Sequence, residues 1–279
     1  MPALLALLSS MAWGLADFGG GLATRRIGAL RVLTVSYPAG ALVITLVALF
    51  LVPGEISGNV IGLSLYTGIV GTLAMLFLYA ALAVGPMGIV SPLTAVGGAA
   101  VPVIAGLVRG ESLTPLIALG IVLALVAVIL VSRESGPHPP VSAKGLLLSG
   151  AAGLFIGLYL VGLGVAPDDS GVWVAVFSRW WSSLGMVAVG LVVLVRHGLA
   201  SWRPYPWLAV IAVGALDGSA NGMFQLAAQG GELIVVAVIG SLYPAATLLL
   251  AHWFLHERMS RIQWSGVVLA LGAAAALAI

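Results

Sequence analysis

Apolar runs of about 20 residues follow one another along the chain, separated by short polar breaks. A helix of that length spans a hydrocarbon core roughly 30 Å thick. The pattern predicts ten membrane-crossing helices, at 3–24, 30–52, 60–84, 86–108, 113–132, 144–164, 171–195, 205–229, 232–255 and 260–279. The first run lacks a basic leader and stays apolar to Ala23, so it reads as a retained span rather than a signal peptide. Most breaks are short, which makes successive helices neighbours.

The pattern then repeats at an offset of 146 residues. Glu111 falls on Glu257, and the run Gly120 to Leu125 (GIVLAL) falls on Gly266 to Leu271 (GVVLAL). Further back, Leu78 to Gly85 overlays Phe224 to Gly231. Five spans fit each half, and an odd number forces the second half to enter the bilayer from the opposite side. The expected fold is therefore an all-α integral membrane protein of two inverted five-helix repeats, residues 1–132 and 144–279. The proline-rich linker 133–143 (RESGPHPPVSA) joins them. Inverted pairs of this kind build many secondary transporters, with the site at the repeat interface.

Composition narrows the picture. A mean hydropathy of +1.19 and 7% charged residues leave too little polar surface for a soluble domain. The absence of cysteine excludes disulfides, thiol catalysis and thiolate metal sites. The basic residues lie mostly at span ends, where they orient helices rather than bind nucleic acid. Arg25, Arg26, Arg31, Arg133, Lys144, Arg196, Arg203, Arg258 and Arg261 fall on one side; Arg109, Asp168 and Asp169 fall on the other. By the positive-inside rule the first side is cytoplasmic and both termini are outside. Lys144 is the only lysine among eleven basic residues, a bias that suggests a GC-rich bacterial genome, and the expected location is the bacterial inner (cytoplasmic) membrane.

Polar groups inside the spans are the candidate chemistry, since a charge at mid-bilayer costs about 2.5–3.5 kcal/mol and must face a partner or a cavity. Asp17 shares a face of the first span with Trp13 and Ser10. In the eighth span, Asp217, Asn221, Phe224 and Ala228 follow i, i+4, i+7, i+11, with Gln225 one position round. Gly214, Gly218 and Gly222 form an adjacent stripe that lets a second backbone approach. The polar stripe faces either a solvated cavity or an interhelical hydrogen-bond zipper. Arg179 either snorkels to the surface beside Trp180 and Trp181 or serves as counter-ion for Asp17, Asp217 or a substrate carboxylate. Tyr79, Phe155 and Tyr159 offer aromatic walls or mark headgroup level. Pro92 and Pro102 in the fourth span and Pro244 in the ninth each free a carbonyl, and Gly97 and Gly98 crowd the same depth. These five are candidate hinges.

No phosphate-cradling loop, HExxH or GxSxG with a suitable histidine is present, so no catalytic residue, cofactor or metal is expected. His252 and His256 stand i, i+4 without a third ligand. Transport would be secondary, driven by a gradient.

The helix-1 motif Trp13-Gly14-Leu15-Ala16-Asp17-Phe18 and the closing motifs Arg109-Gly110-Glu111-Ser112-Leu113-Thr114 and His256-Glu257-Arg258-Met259-Ser260, each followed by a GxxLAL run, resemble the drug/metabolite transporter superfamily, EamA-type branch. Within it the chain is similar to aromatic amino-acid exporters, whose cavity is walled by aromatics. That resemblance implies wall roles for Tyr79, Phe155, Tyr159 and Tyr243, the last in an aromatic-Pro pair with Pro244. The fourth span departs from it, with Gly97-Gly98 in place of an aromatic-Pro pair. The resemblance also implies cytoplasmic termini, against the charge bias.

The expected function is export of small amphipathic metabolites, amino acids including aromatic ones, by alternating access in a monomer. The expected partners are the small-molecule substrate and the lipid bilayer. Two rivals remain. A membrane enzyme on lipid-linked groups, with Asp17 and Asp217 as acid and base, needs two carboxylates close together at the interface. An assembly subunit needs a polar stripe buried with no cavity.

Overall fold

The computed structural model describes residues 1–84, 87–132, 142–197, 205–256 and 258–278. The linker residues 133–141, Arg203 and Glu257 lie outside the described residues, as do the side chains of Tyr79 and Pro92. The helices are α1 (Pro2–Ile27), α2 (Ala29–Phe50), α3 (Gly58–Val84), α4 (Met87–Val108), α5 (Pro115–Val131), α6 (Ala143–Gly164), α7 (Trp173–His197), α8 (Trp207–Gly230), α9 (Leu233–Gly240), α10 (Tyr243–Leu255) and α11 (Arg261–Ala278). Among the described residues, eight helices are long and apolar enough to cross a membrane when Leu233–Leu255 is taken as one span. Two shorter apolar helices, Leu93–Val108 and Pro115–Val131, complete ten.

Sequence signals set the helix ends. Gly28 makes the one-residue turn between α1 and α2 at φ 83°, a backbone shape that disfavours any side chain. Thr114 caps α5 through the Ile117 amide (3.2 Å). One offset later, Ser260 and Gln263 form a reciprocal capping box before α11. The two closing helices thus start on equivalent hydroxyl caps.

Glycine contacts reveal the inversion. Gly120 packs under Leu277, and Gly266 packs under Leu130 and Val131. Both pairs are exchanged by the 146-residue offset, and they run in opposite directions along the two helices. Hence α5 and α11 are antiparallel copies related by a two-fold. The same exchange links the α2–α8 and α3–α7 crossings. Gly214 of α8 lies against the Ser36 carbonyl, while Ser182 of α7 donates to the Gly68 carbonyl (3.0 Å). On α8 the glycine stripe packs in register on α2: Gly214 on Ser36, Gly218 on Gly40 and Gly222 on Ile44. The backbones touch there, so a Cβ at Gly214 or Gly218 would force the helices apart.

The ninth span is broken, as its proline predicts. α9 ends at Gly240, two residues intervene, and α10 restarts with Pro244 in its first turn, where the missing amide costs nothing. The fourth span behaves differently: α4 runs as continuous helix through Gly97, Gly98 and Pro102. Gly97 there meets the backbone of Gly153, and Gly98 meets Ile156. These two glycines make a tight crossing rather than a bend.

The two ends of the bundle differ. At one end, seven of the eight residues of α9 are buried, and Val172 and the first residues of α7, Trp173 to Val176, are buried with them. At the other end, every residue from Ala245 to His252 of α10 stays partly exposed.

Candidate functional site

Helix periodicity locates an internal opening. On α1 the exposed residues Leu4, Leu8, Met11 and Leu15 follow i, i+4, i+7, i+11 and form the lipid-facing stripe. Asp17 is also exposed, yet by helical rotation it sits on the opposite face, among Ala6, Ser10 and Gly14, which are all buried. Its side chain is thus exposed on the face of α1 that points away from the lipid-facing stripe. Tyr243 and Asp217 lie within electrostatic reach of Asp17. Trp13, one turn before Asp17, is half-buried and packs on Phe224 with ring centroids 5.6 Å apart.

Beside this opening lies a polar network that joins four helices. Arg179 of α7 forms an ion pair with Asp217 of α8. Its guanidinium also sits 4.5 Å from the centroid of the Tyr37 ring of α2, a cation–π contact. Asn221, one turn after Asp217, donates to the Asp217 carbonyl (2.6 Å). It accepts from the Tyr159 hydroxyl of α6 (2.8 Å). The snorkelling reading of Arg179 is thereby corrected: the residue is 7% exposed and faces inward. Burial leaves it no water, so a buried carboxylate must compensate it, and Asp217 is within reach.

The eighth-span stripe divides in two along its length. Asp217 keeps 27% of its side chain exposed, whereas Phe224 and Gln225 are completely buried. Gln225 accepts from the Ala175 amide (2.8 Å) and donates to the Gly171 carbonyl (2.8 Å) and the Ser170 hydroxyl (3.2 Å). Its amide is spent on holding the 165–172 loop against the start of α7. Gln229 adds bonds to Pro167, Ser170 and Gly171. Phe155 stacks on Phe77 at 5.3 Å and is half-buried, as is Tyr159.

Three features escaped the sequence reading. Tyr37 precedes Pro38 in the middle of α2, the same aromatic-Pro signal that marks Tyr243-Pro244, so the pattern was there to find. Glu111, conspicuous as a repeat marker, has a structural task. Its two carboxylate oxygens accept from the Leu233 and Ile234 amides (2.9 Å each) and cap α9. A carboxylate at a helix N-terminus satisfies orphan amides and complements the dipole. The partner of Ser9, the Ala220 carbonyl (2.8 Å), fixes α1 on α8 and carries no sequence signal.

Residues 1–133 and 143–279 each match the EamA-like transporter family. The chain belongs to that family. It is thus a multi-pass membrane protein of the drug/metabolite transporter superfamily. Among curated proteins no sequence relative matches. A solved crystal structure aligns at a TM-score of 0.78 with 18% identity, covering 100% of this chain and 98% of its own. That likeness is one of fold. The match spans both repeats, with a junction at the linker, and carries no substrate.

Proposed function

We propose that this EamA-family member exports small amphipathic metabolites that carry an amino group, amino acids including aromatic ones among them. Transport proceeds by alternating access through the chamber between the repeats. The observation that carries the reading is Asp17, accessible on the face of α1 that points away from lipid. Trp13, Tyr243, Phe155 and Tyr159 supply half-buried aromatic walls, and Asp217 and Asn221 the polar floor. Phe224 and Gln225 are supporting residues under that floor.

The chamber is closed at the end that holds Asp168, Asp169 and Glu111, and loosely packed at the end of the arginine-rich loops. By the charge rule the loose end is cytoplasmic. An exporter loads from that side. The break at Gly240–Tyr243 is the proposed hinge, because a helix interrupted beside a cavity can change angle without losing further hydrogen bonds. Every part of the chamber comes from one chain, so a monomer in a bacterial cytoplasmic membrane suffices. The enzyme rival is disfavoured: Asp217 is committed to Arg179, which leaves one free carboxylate instead of an acid–base pair.

Uptake of labelled phenylalanine and other amino acids into liposomes, with and without a pH gradient, tests the proposal. Uptake no greater than that of empty liposomes for every amino acid would reject it, and gradient dependence would separate proton-coupled from facilitated movement.

A further inference from the structure

The charges around the chamber do not balance, and the imbalance selects a ligand. Among the described residues, three acidic or basic groups stand well inside the spans: Asp17, Arg179 and Asp217. Arg179 and Asp217 neutralise one another as an ion pair. The Nε of Arg179 is closed to solvent, and its Nη2 is engaged by Asp217, so this side of the guanidinium is turned away from an incoming anion. The face of Arg179 is further covered by the Tyr37 ring. Asp17 has neither a hydrogen bond nor an ion pair, and it is the most exposed of the three. An unpaired carboxylate inside the spans attracts a cation that can complete it.

Resting on the reading of this chamber as the transport site, we propose that it recognises the ammonium group of its substrate through Asp17 and makes no ion pair with a substrate carboxylate. The preferred class is monocationic aryl or alkyl amines, ahead of zwitterionic amino acids. Tyr243, within electrostatic reach of Asp17, and Trp13, one turn away on the same face, provide aromatic surfaces that suit a cation and its apolar tail. A free amino acid brings a carboxylate that finds no positive partner and faces the Asp17–Asp217 side of the chamber. An ester or a decarboxylated analogue brings none. The discrimination is the classical one in which an unpaired buried charge, rather than a better contact, decides specificity.

Binding of four probes to the purified protein, followed by isothermal titration, tests this: phenethylamine, phenylalanine methyl ester, phenylalanine and 3-phenylpropionate. The amine and the ester are expected to bind at least tenfold more tightly than phenylalanine, and phenylpropionate is expected not to bind. Asp17→Asn abolishes the preference for cations, and Asp17→Glu restores part of it. Phenylalanine binding as tightly as its ester, or measurable binding of phenylpropionate, overturns the proposal while leaving transport intact. Binding of all four probes unaltered in Asp17→Asn also overturns it. If none of the four binds and no amino acid is taken up by liposomes, the export reading falls and this inference falls with it.

Discussion

The two ends of the bundle are built from equivalent helices, yet one is sealed and the other is loose. At the sealed end, Glu111 caps α9, Gln225 and Gln229 hold the 165–172 loop, and the Glu55 amide bonds the Asp169 carbonyl (2.8 Å). At the loose end, α10 leaves its residues partly exposed from Ala245 to His252. Apolar packing accounts for part of the contrast, since α9 (LIVVAVIG) is more apolar than α10 (YPAATLLLAHWFL). Among the described residues, the sealed end also carries polar side chains that reach across helices to backbone groups of α9 and the 165–172 loop. In a bilayer, where water does not compete, such bonds fix relative helix positions as much as packing does. The state captured by this structure is therefore written in part in a few glutamines and one glutamate.

The largest effect is expected at the junction of the two ends. Arg179→Ala leaves the partly buried Asp217 carboxylate without its partner, at a cost near the low end of the roughly 3–5 kcal/mol of a fully buried pair. A marked fall in the melting temperature in detergent checks this. The double variant Arg179→Gln with Asp217→Asn should recover much of the loss, because no lone charge remains. If the single and double variants melt alike, the ion pair does not couple the ends.

Next comes the sealed end itself. Gln225→Leu keeps the volume but strands the Ala175 amide and removes the bonds to Gly171 and Ser170. Each buried group left unpaired costs about 1–3 kcal/mol. Because the chain has no cysteine, single cysteines can report on each end separately. In the parent, Thr247→Cys at the loose end should react with a water-soluble maleimide at least tenfold faster than Val238→Cys at the sealed end. In the Gln225→Leu background the Val238→Cys rate should rise toward that of Thr247→Cys. A rate at Val238→Cys equal to that at Thr247→Cys in the parent itself would remove the contrast altogether.

Sequence reading reached some of this and missed the rest for a definable reason. Span positions and the inversion were legible because they depend on local periodicity and on parity. The glycine stripe of α8 was legible because small residues at spacing four have one common use. Which helix the stripe met, α2, was not. Nor was the divide along the polar stripe, where Asp217 keeps part of its side chain exposed and Gln225 is buried against a loop. Tertiary partners are separated by many residues, such as Gln225 from Gly171 or Glu111 from Leu233, and no pattern within a single helix encodes them. Arg179 shows the limit best: both of its readings fitted the local sequence, and only the position of Asp217 decided. At Gly97 and Gly98 the sequence suggested a bend where the structure has a tight crossing, because a glycine serves either purpose and only the neighbour, Gly153, tells them apart.

A smaller loss is expected from Glu111→Ala. Two α9 amides lose their acceptor, and the helix dipole loses its complement, for about 1–2 kcal/mol. Labelling at Val238→Cys should rise in this variant too, but by less than in Gln225→Leu, since water at the membrane surface can replace the carboxylate. A rise equal to or greater than that in Gln225→Leu would mean that the cap, and not the loop anchor, keeps this end shut.

The smallest stability change should accompany Asp17→Asn, and this is what separates a chamber residue from a structural one. Asp17 has no hydrogen bond or ion pair to lose, so its replacement by a neutral isostere should leave the melting temperature within about 1 °C or raise it slightly, a ΔΔG of a few tenths of a kcal/mol. Liposome uptake, by contrast, should fall to background. Arg179→Ala and Gln225→Leu change stability first and transport as a consequence; Asp17→Asn should do the reverse. A clear drop in melting temperature on Asp17→Asn would assign Asp17 to the scaffold, and the loose end would then be an open seam between helices with no ligand site inside it.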